Sequence, residues 1–316
     1  VCLFFRFSHK ASKTLFFKKL FKLFFPKRKA MVLETNFGTE FLEKKFYLLL
    51  FFGMAYAIIS SFFAIWVFPP NPMLVAISLI IITTVPIFYK ISEHEEQIGI
   101  SDDSEKSIMT KHAKAINSFV FLFIGYSLGF FLVALLLSGS TSEHFFSDQQ
   151  HVLSSINPTL TGNFFSDAFS AFTSIFSNNL KVLIFCLIFS LVFGVGALFI
   201  LVWNASVLGF AMASLFHIKL FDFSASSEVF NFFNYLRAFF FSFFRFSLHG
   251  IPEIAAYFVA GLAGSIISFS IIKNHFLTKK FENILLDVSN LVIISIIILV
   301  FAAFLEVFVT PVFFRF

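Results

Sequence analysis

The chain has 316 residues, of which 58% are hydrophobic and only 13% charged, about half the charge that keeps the surface of a soluble domain in water. Mean hydropathy is +0.90, and the apolar residues gather into runs long enough to cross about 30 Å of hydrocarbon as helix. This excludes a water-soluble globular enzyme and predicts an all-α, polytopic integral membrane bundle, with about six or seven transmembrane segments of which one is short or re-entrant.

Residues 1–46 form a basic flank expected on the cytoplasmic side. Eleven of the 23 Lys and Arg fall within residues 1–45, so the net charge of +5 comes wholly from there. Leu15 to Phe25 could lie on anionic lipid as a basic amphipathic helix ending at Pro26. Alternatively, because the chain opens on Val1 and Met31-Val-Leu-Glu reads as a start, residues 1–30 are an upstream extension. The charge is accounted for by orientation and lipid headgroups, with no nucleic-acid partner.

The unit 47–137 holds a first span, Tyr47 to Phe68, broken by Pro69, Pro70 and Pro72, and a second, Met73 to Tyr89. A polar segment over 90–116 carries acids and then Lys106, Lys111 and Lys114, and a third span runs from Asn117 to Leu137. Residues 138–177 have no Lys or Arg and are expected outside, with the N-terminus and the 90–116 segment inside.

The unit 178–316 opens with a fourth span, Asn179 to Trp203. Asn204 is then expected to break the helix before a short apolar stretch, Ala205 to His217. A Phe-rich segment, 230–246, and a span from Ile251 to Ile272 follow, and Asp287 to Thr310 makes the last span. The 56 Phe residues exceed the needs of an aromatic belt, and codon bias accounts for them. Cys2 and Cys186 support neither a disulfide framework nor a metal site.

Small residues mark helix contact faces in lipid, where apolar packing alone gives little association. Ala256, Ala260, Gly264 and Ser268 recur at steps of four, with Gly261 beside them. Ala205, Gly209 and Ala213 do the same, and Gly194 and Gly196 thin the fourth span. Polar groups at membrane depth are costly and therefore functional candidates: Asn178, Asn179, Asn204, Arg237, Arg245, His249, Glu253 and Glu306. A buried Glu253 needs a partner, which Arg237 or Arg245 could supply. His249 and Glu253 have the spacing of a metal pair on one helix face. Pro252 instead predicts a helix start near Ile251, with His249 outside and Glu253 in the first turn. No metal, cofactor or catalytic set is expected.

Together, Asn178-Asn179-Leu-Lys-Val, Gly194 and Gly196, Trp203-Asn204-Ala-Ser-Val-Leu-Gly209 and His249-Gly250-Ile-Pro-Glu253-Ile-Ala-Ala-Tyr-Phe-Val-Ala-Gly261-Leu-Ala-Gly264 resemble the stage II sporulation protein M family, in its archaeal branch. The resemblance implies a membrane subunit or scaffold rather than a hydrolase, with a membrane-protein partner or a second copy of the chain. A transporter or channel using polar residues around Asn204 and Glu253 is the alternative.

Overall fold

The computed structural model describes residues 47–101, 108–155, 164–193, 196–225, 232–272 and 279–314. The basic flank, Gly194, Lys106 and Lys273 lie outside them. The described residues are helical throughout: α1 (Leu48–Val67), α2 (Pro72–Ser101), α3 (Ile108–Leu136), α4 (Gly139–Phe145), α5 (Ser147–Ser155), α6 (Phe164–Phe193), α7 (Ala197–Ala225), α8 (Phe232–Ile272) and α9 (Lys279–Phe304). A π-turn (Leu305–Val309) and the short α10 (Thr310–Phe313) continue α9. Seven helical stretches among these residues are long and apolar enough to cross a membrane, which makes this a multi-pass membrane protein.

The first three spans follow the sequence closely. The Pro69-Pro70 break separates α1 from α2, and Pro72 opens α2, where its fixed φ suits the first helical turn and its missing N–H costs nothing. α1 turns Gly53, Ala57, Ser61 and Ala64, all buried, onto α3. A Cβ on Gly53 would stand 2.5 Å from the Leu122 carbonyl oxygen, and one on Gly129 would stand 2.6 Å from the Ala57 Cβ. The seam therefore needs glycine, and Gly125 and Gly129, four apart on α3, build its other side.

Three expectations from the second half are corrected. The fourth span is Ala168–Phe193, so the helix crosses from well before Asn178 and stops before Trp203. Gly196 lies in the turn that follows α6 rather than within the span, and a Cβ there would crowd the Phe189 backbone. Asn204 does not break α7, which runs unbroken from Ala197 to Ala225, so the supposed short segment is a full span. The Asn204 amide donates to the Ile200 carbonyl at 2.7 Å, a bond within its own helix.

The third correction concerns Pro252. α8 is one helix of 41 residues from Phe232 to Ile272, with Pro252 in its interior, so His249 is helical and Glu253 is nowhere near a helix start. An interior proline costs about 3 kcal/mol in an isolated helix. In lipid, however, leaving the helical path would strand more backbone groups than proline does. α8 is the axis of the bundle, touching α2, α3, α6, α7 and α9. Its small residues Ala256, Ala260, Gly261, Gly264 and Ser268 are all buried. A Cβ on Gly264 would reach 3.0 Å from the Leu191 nitrogen on α6, and one on Gly261 would reach 3.0 Å from the Ala197 Cβ on α7. Gly209 presses similarly on α3, 2.6 Å from the Ser127 carbonyl oxygen for an added Cβ, flanked by buried Ala205 and Ala213.

Candidate polar site at mid-membrane

Because α8 continues through Pro252, Arg245, His249, Glu253 and Tyr257 recur every four residues and share one face. Their depth follows from the far side of α8, where Ser247 and Ile251 line a recess of about 20 Å³ with Ser127 and Leu128. Those two residues belong to the central turns of the α3 span, His112–Leu136. The polar face of α8 therefore crosses the middle of the bilayer, where an ionisable group requires partners.

The partners come from the end of the last span. Pro311 has no N–H and its ring crowds the carbonyl of the preceding turn, and the chain answers with a π-turn over Leu305–Val309 in which the Thr310 N–H bonds to the Leu305 carbonyl. The Thr310 hydroxyl also donates to that carbonyl, at 3.0 Å. The segment runs antiparallel to α8: Thr310 Oγ1 lies 3.3 Å from His249 Nδ1, and Arg245 donates to the Phe314 carbonyl at 2.9 Å. Each four-residue step up α8 matches a four-residue step back on the last helix, which brings Glu306 opposite Glu253. Glu306 is close enough to both Arg245 and Glu253 to interact electrostatically. Tyr257 is fully buried and donates to Glu253 Oε1 at 2.7 Å. Arg245, His249, Glu253 and Glu306 are half-buried.

The other polar residues singled out from sequence lie apart from this network. Arg237 cannot serve Glu253, because sixteen residues of helix separate them by about 24 Å. Its guanidinium instead covers the Phe223 ring at 4.1 Å. Asn178 is exposed and Asn179 buried, both on α6. Among the described residues, no three His, Cys, Asp or Glu side chains are set to hold a metal ion.

Tyr257 and Thr310 were not singled out for this site from the sequence, although Tyr257 continues the four-residue repeat from Arg245. Two further buried polar contacts lie elsewhere in the bundle. Glu95 on α2 hydrogen-bonds His112 on α3, both 1% exposed. Gln149 on α5 is fully buried and donates to Ser206 on α7 at 2.9 Å. Each joins residues far apart in the chain, so no local spacing signals it.

Residues 118–311 match the stage II sporulation protein M family, a stretch that holds most of α3 and Arg245, His249, Glu253, Tyr257, Glu306 and Thr310. The chain is also similar to an uncharacterised protein of Methanocaldococcus jannaschii, 31% identical over 163 residues that cover 50% of this chain and 82% of that protein. No solved structure matches. With the match covering more than half of the chain, the chain belongs to the stage II sporulation protein M family.

Proposed function

We propose that this protein is a non-enzymatic subunit or scaffold of a cell-membrane complex, with its N-terminus in the cytoplasm, rather than a catalyst. The observation that carries the reading is the closure of the polar network on itself. Tyr257 bonds Glu253, Thr310 meets His249, and Arg245 bonds the Phe314 carbonyl, so the costly groups tie α8 to the last span. In lipid, such contacts give specificity that apolar packing cannot. Half-buried charged groups on the bundle's own surface also suit a partner helix that completes their burial. The orientation rests on the Lys-bearing 90–116 segment sharing a side with the basic flank, and on the absence of Lys and Arg from residues 138–177.

Purification from native membranes in mild detergent tests this. A stoichiometric membrane partner or a defined homo-oligomer is expected, and should be lost or weakened in Glu306→Gln. A lone monomer under every extraction condition would overturn the reading.

Transport is the second reading, and one observation favours it: four ionisable side chains converge at mid-membrane instead of scattering, which is where transporters place their sites. Asn204, whose amide bonds within α7, lies apart from them. In liposomes, solute or ion flux altered by Glu253→Gln would support transport, and flux indifferent to it would remove this reading.

A further inference from the structure

α6 carries a polar face where a lipid-facing helix should be apolar. Ser170, Thr173, Ser174, Ser177, Asn178 and Lys181 are all exposed and follow one another at steps of three and one, which keeps them on a single side of the helix. The stripe is about 16 Å long and lies within the span Ala168–Phe193. Past Lys181 the outward side changes character: its exposed residues become Ile184, Phe185, Ile188 and Phe189. The C-terminal half of α6 therefore suits lipid and the N-terminal half does not. The Thr173 hydroxyl bonds back to the Phe169 and Ser170 carbonyls, but a lysine ammonium group has no such answer within its own helix.

Lys181 is also deep. α6 and α8 cross in the same sense, because α7 crosses back between them. Cys186 on α6 is close to Tyr257 on α8, and Gly264 packs on Leu191, so Lys181, five residues before Cys186, comes level with Pro252 and Glu253. That is the middle of the membrane, and it is the midpoint of the α6 span as well. Either edge of the hydrocarbon is then about 15 Å away, farther than a four-carbon stem carries a charge. No hydrogen bond or ion pair with a described residue reaches the Lys181 ammonium group, and a charge at this depth requires one. Lipid phosphates lie at the interface and cannot supply it. A second copy of the chain offers no free acid either. Among the described residues the carboxyl groups at this level are Glu253 and Glu306, both half-buried and engaged by Tyr257 and Arg245.

We propose that the N-terminal half of α6 is the docking face for a transmembrane helix of a different protein, one that sets an aspartate or glutamate at mid-membrane opposite Lys181 and hydroxyl or amide side chains opposite Asn178 and the serines. The ion pair fixes the depth of the incoming helix, and the polar stripe fixes the side on which it lies. The face is free to receive it, because α6 leaves most of its surface outside the bundle. The inference rests on the reading of this protein as a subunit of a membrane complex and supplies the chemistry of the contact. Recognition is then separate from the α8 network, whose polar groups tie two helices of the same chain together, whereas Lys181 faces outward.

The full chain in lipid nanodiscs is titrated with a dye-labelled probe, a leucine helix of about 20 residues with a single Glu at its centre, and association is read by energy transfer. The wild type is expected to bind this helix about tenfold or more tightly than the same helix with Gln, and Lys181→Leu should abolish the preference. Lys181→Glu should transfer it to a helix with a central Lys, an outcome that a misfolded variant cannot give. In parallel, purification from native membranes in mild detergent should lose the partner in Lys181→Leu and keep it in Lys181→Arg. Equal binding of the Glu and Gln helices by the wild type would overturn the proposal. A wild-type homodimer broken by Lys181→Leu would also overturn it, by making a second copy the occupant. Impermeant maleimide reaching Asn178→Cys in native membranes, in a chain with Cys2 and Cys186 replaced by Ala, would overturn it by making the stripe a water-lined path. A partner retained by Lys181→Leu overturns docking at α6 and leaves the subunit reading standing. A lone wild-type monomer that still prefers the Glu helix overturns the subunit reading and supports the chemistry assigned to α6.

Discussion

Replacing Gly125 by Ala tests whether the α1–α3 seam depends on backbone contact. A Cβ at position 125 would stand 2.9 Å from the Leu50 carbonyl carbon and 3.0 Å from the Leu50 Cα. Both are backbone atoms, so no side-chain rotation can relieve the clash. The two helices must part by the better part of an ångström, which also loosens the Gly53 and Gly129 contacts along the same seam. Overpacking of this sort costs about 1–3 kcal/mol, set against at most about 1 kcal/mol regained because alanine is the better helix former. The expected net loss is therefore about 1–2 kcal/mol, read as a lower midpoint in denaturant or thermal unfolding in detergent micelles. Gly250→Ala is the matched control. It gains the same propensity, and its Cβ meets nothing within 4 Å, so it should be neutral or mildly stabilising. Equal behaviour of the two variants would refute the contact argument. A second check lies one turn along: Gly129→Ala clashes with the Ala57 Cβ at 2.6 Å but also with the Met54 carbonyl oxygen at 2.8 Å, so Ala57→Gly should rescue it in part only.

Three further outcomes follow from buried polar contacts and from orientation. Tyr257→Phe removes the donor to Glu253 and should destabilise the protein by about 1–3 kcal/mol, because the carboxyl group loses a partner it cannot replace with water. Thermal unfolding with the tyrosine and phenylalanine forms side by side measures this. Gln149→Leu cuts the bond to Ser206 and should free α5 from α7, visible as faster amide hydrogen exchange across Ser147–Ser155 with α1 to α3 unchanged. Single cysteines at Ser142 and at Lys114, in a chain with Cys2 and Cys186 replaced by Ala, should react with an impermeant maleimide from opposite sides of the membrane, Ser142 from outside. Labelling of both from one side would refute the inside-positive orientation.

The elements legible from sequence were those set by local rules. α1 and α2 were readable because apolar length and the Pro69 to Pro72 break act within a few residues. The small-residue faces of α7 and α8 were readable because steps of four define a helix side whatever it packs against. Boundaries failed where a local rule met the bilayer. Asn204 and Pro252 are helix-weakening residues in water, so Asn204 predicts a break and Pro252 a helix start near Ile251. In lipid, an interrupted helix exposes backbone groups at a cost greater than either residue imposes, so α7 and α8 run through. A helix start at Ile251 leaves His249 outside the helix, so the Arg245, His249, Glu253 and Tyr257 repeat emerges only from the unbroken α8. Glu306 could be flagged as costly, but its position opposite Glu253 is a tertiary fact set by the pairing of α8 with the last span. The Gly125 and Gly129 pair was visible in the sequence and belongs to the same class of signal as the faces that were recognised.

The Pro311→Ala variant separates the packing role of the last span from its chemical role. Pro311 denies the turn before it one hydrogen bond, and the π-turn over Leu305–Val309 is how the chain absorbs that loss. Alanine restores a donor worth about 1 kcal/mol net and permits an ordinary α-helical turn. Closing the π-turn removes one residue from the local winding, which rotates everything after it by about 100° relative to everything before it. Glu306 lies within the turn and Thr310 at its end, and residues four apart on an ordinary helix share a face, so both keep their side toward α8. The span before them turns instead, which takes the buried Ala302 and Ala303 out of their packing. The expected result is a net loss of about 1–2 kcal/mol in thermal unfolding, with the partner still recovered in mild detergent. A variant as stable as wild type would show that the π-turn is a tolerated by-product of Pro311 and has no part in seating the span before it.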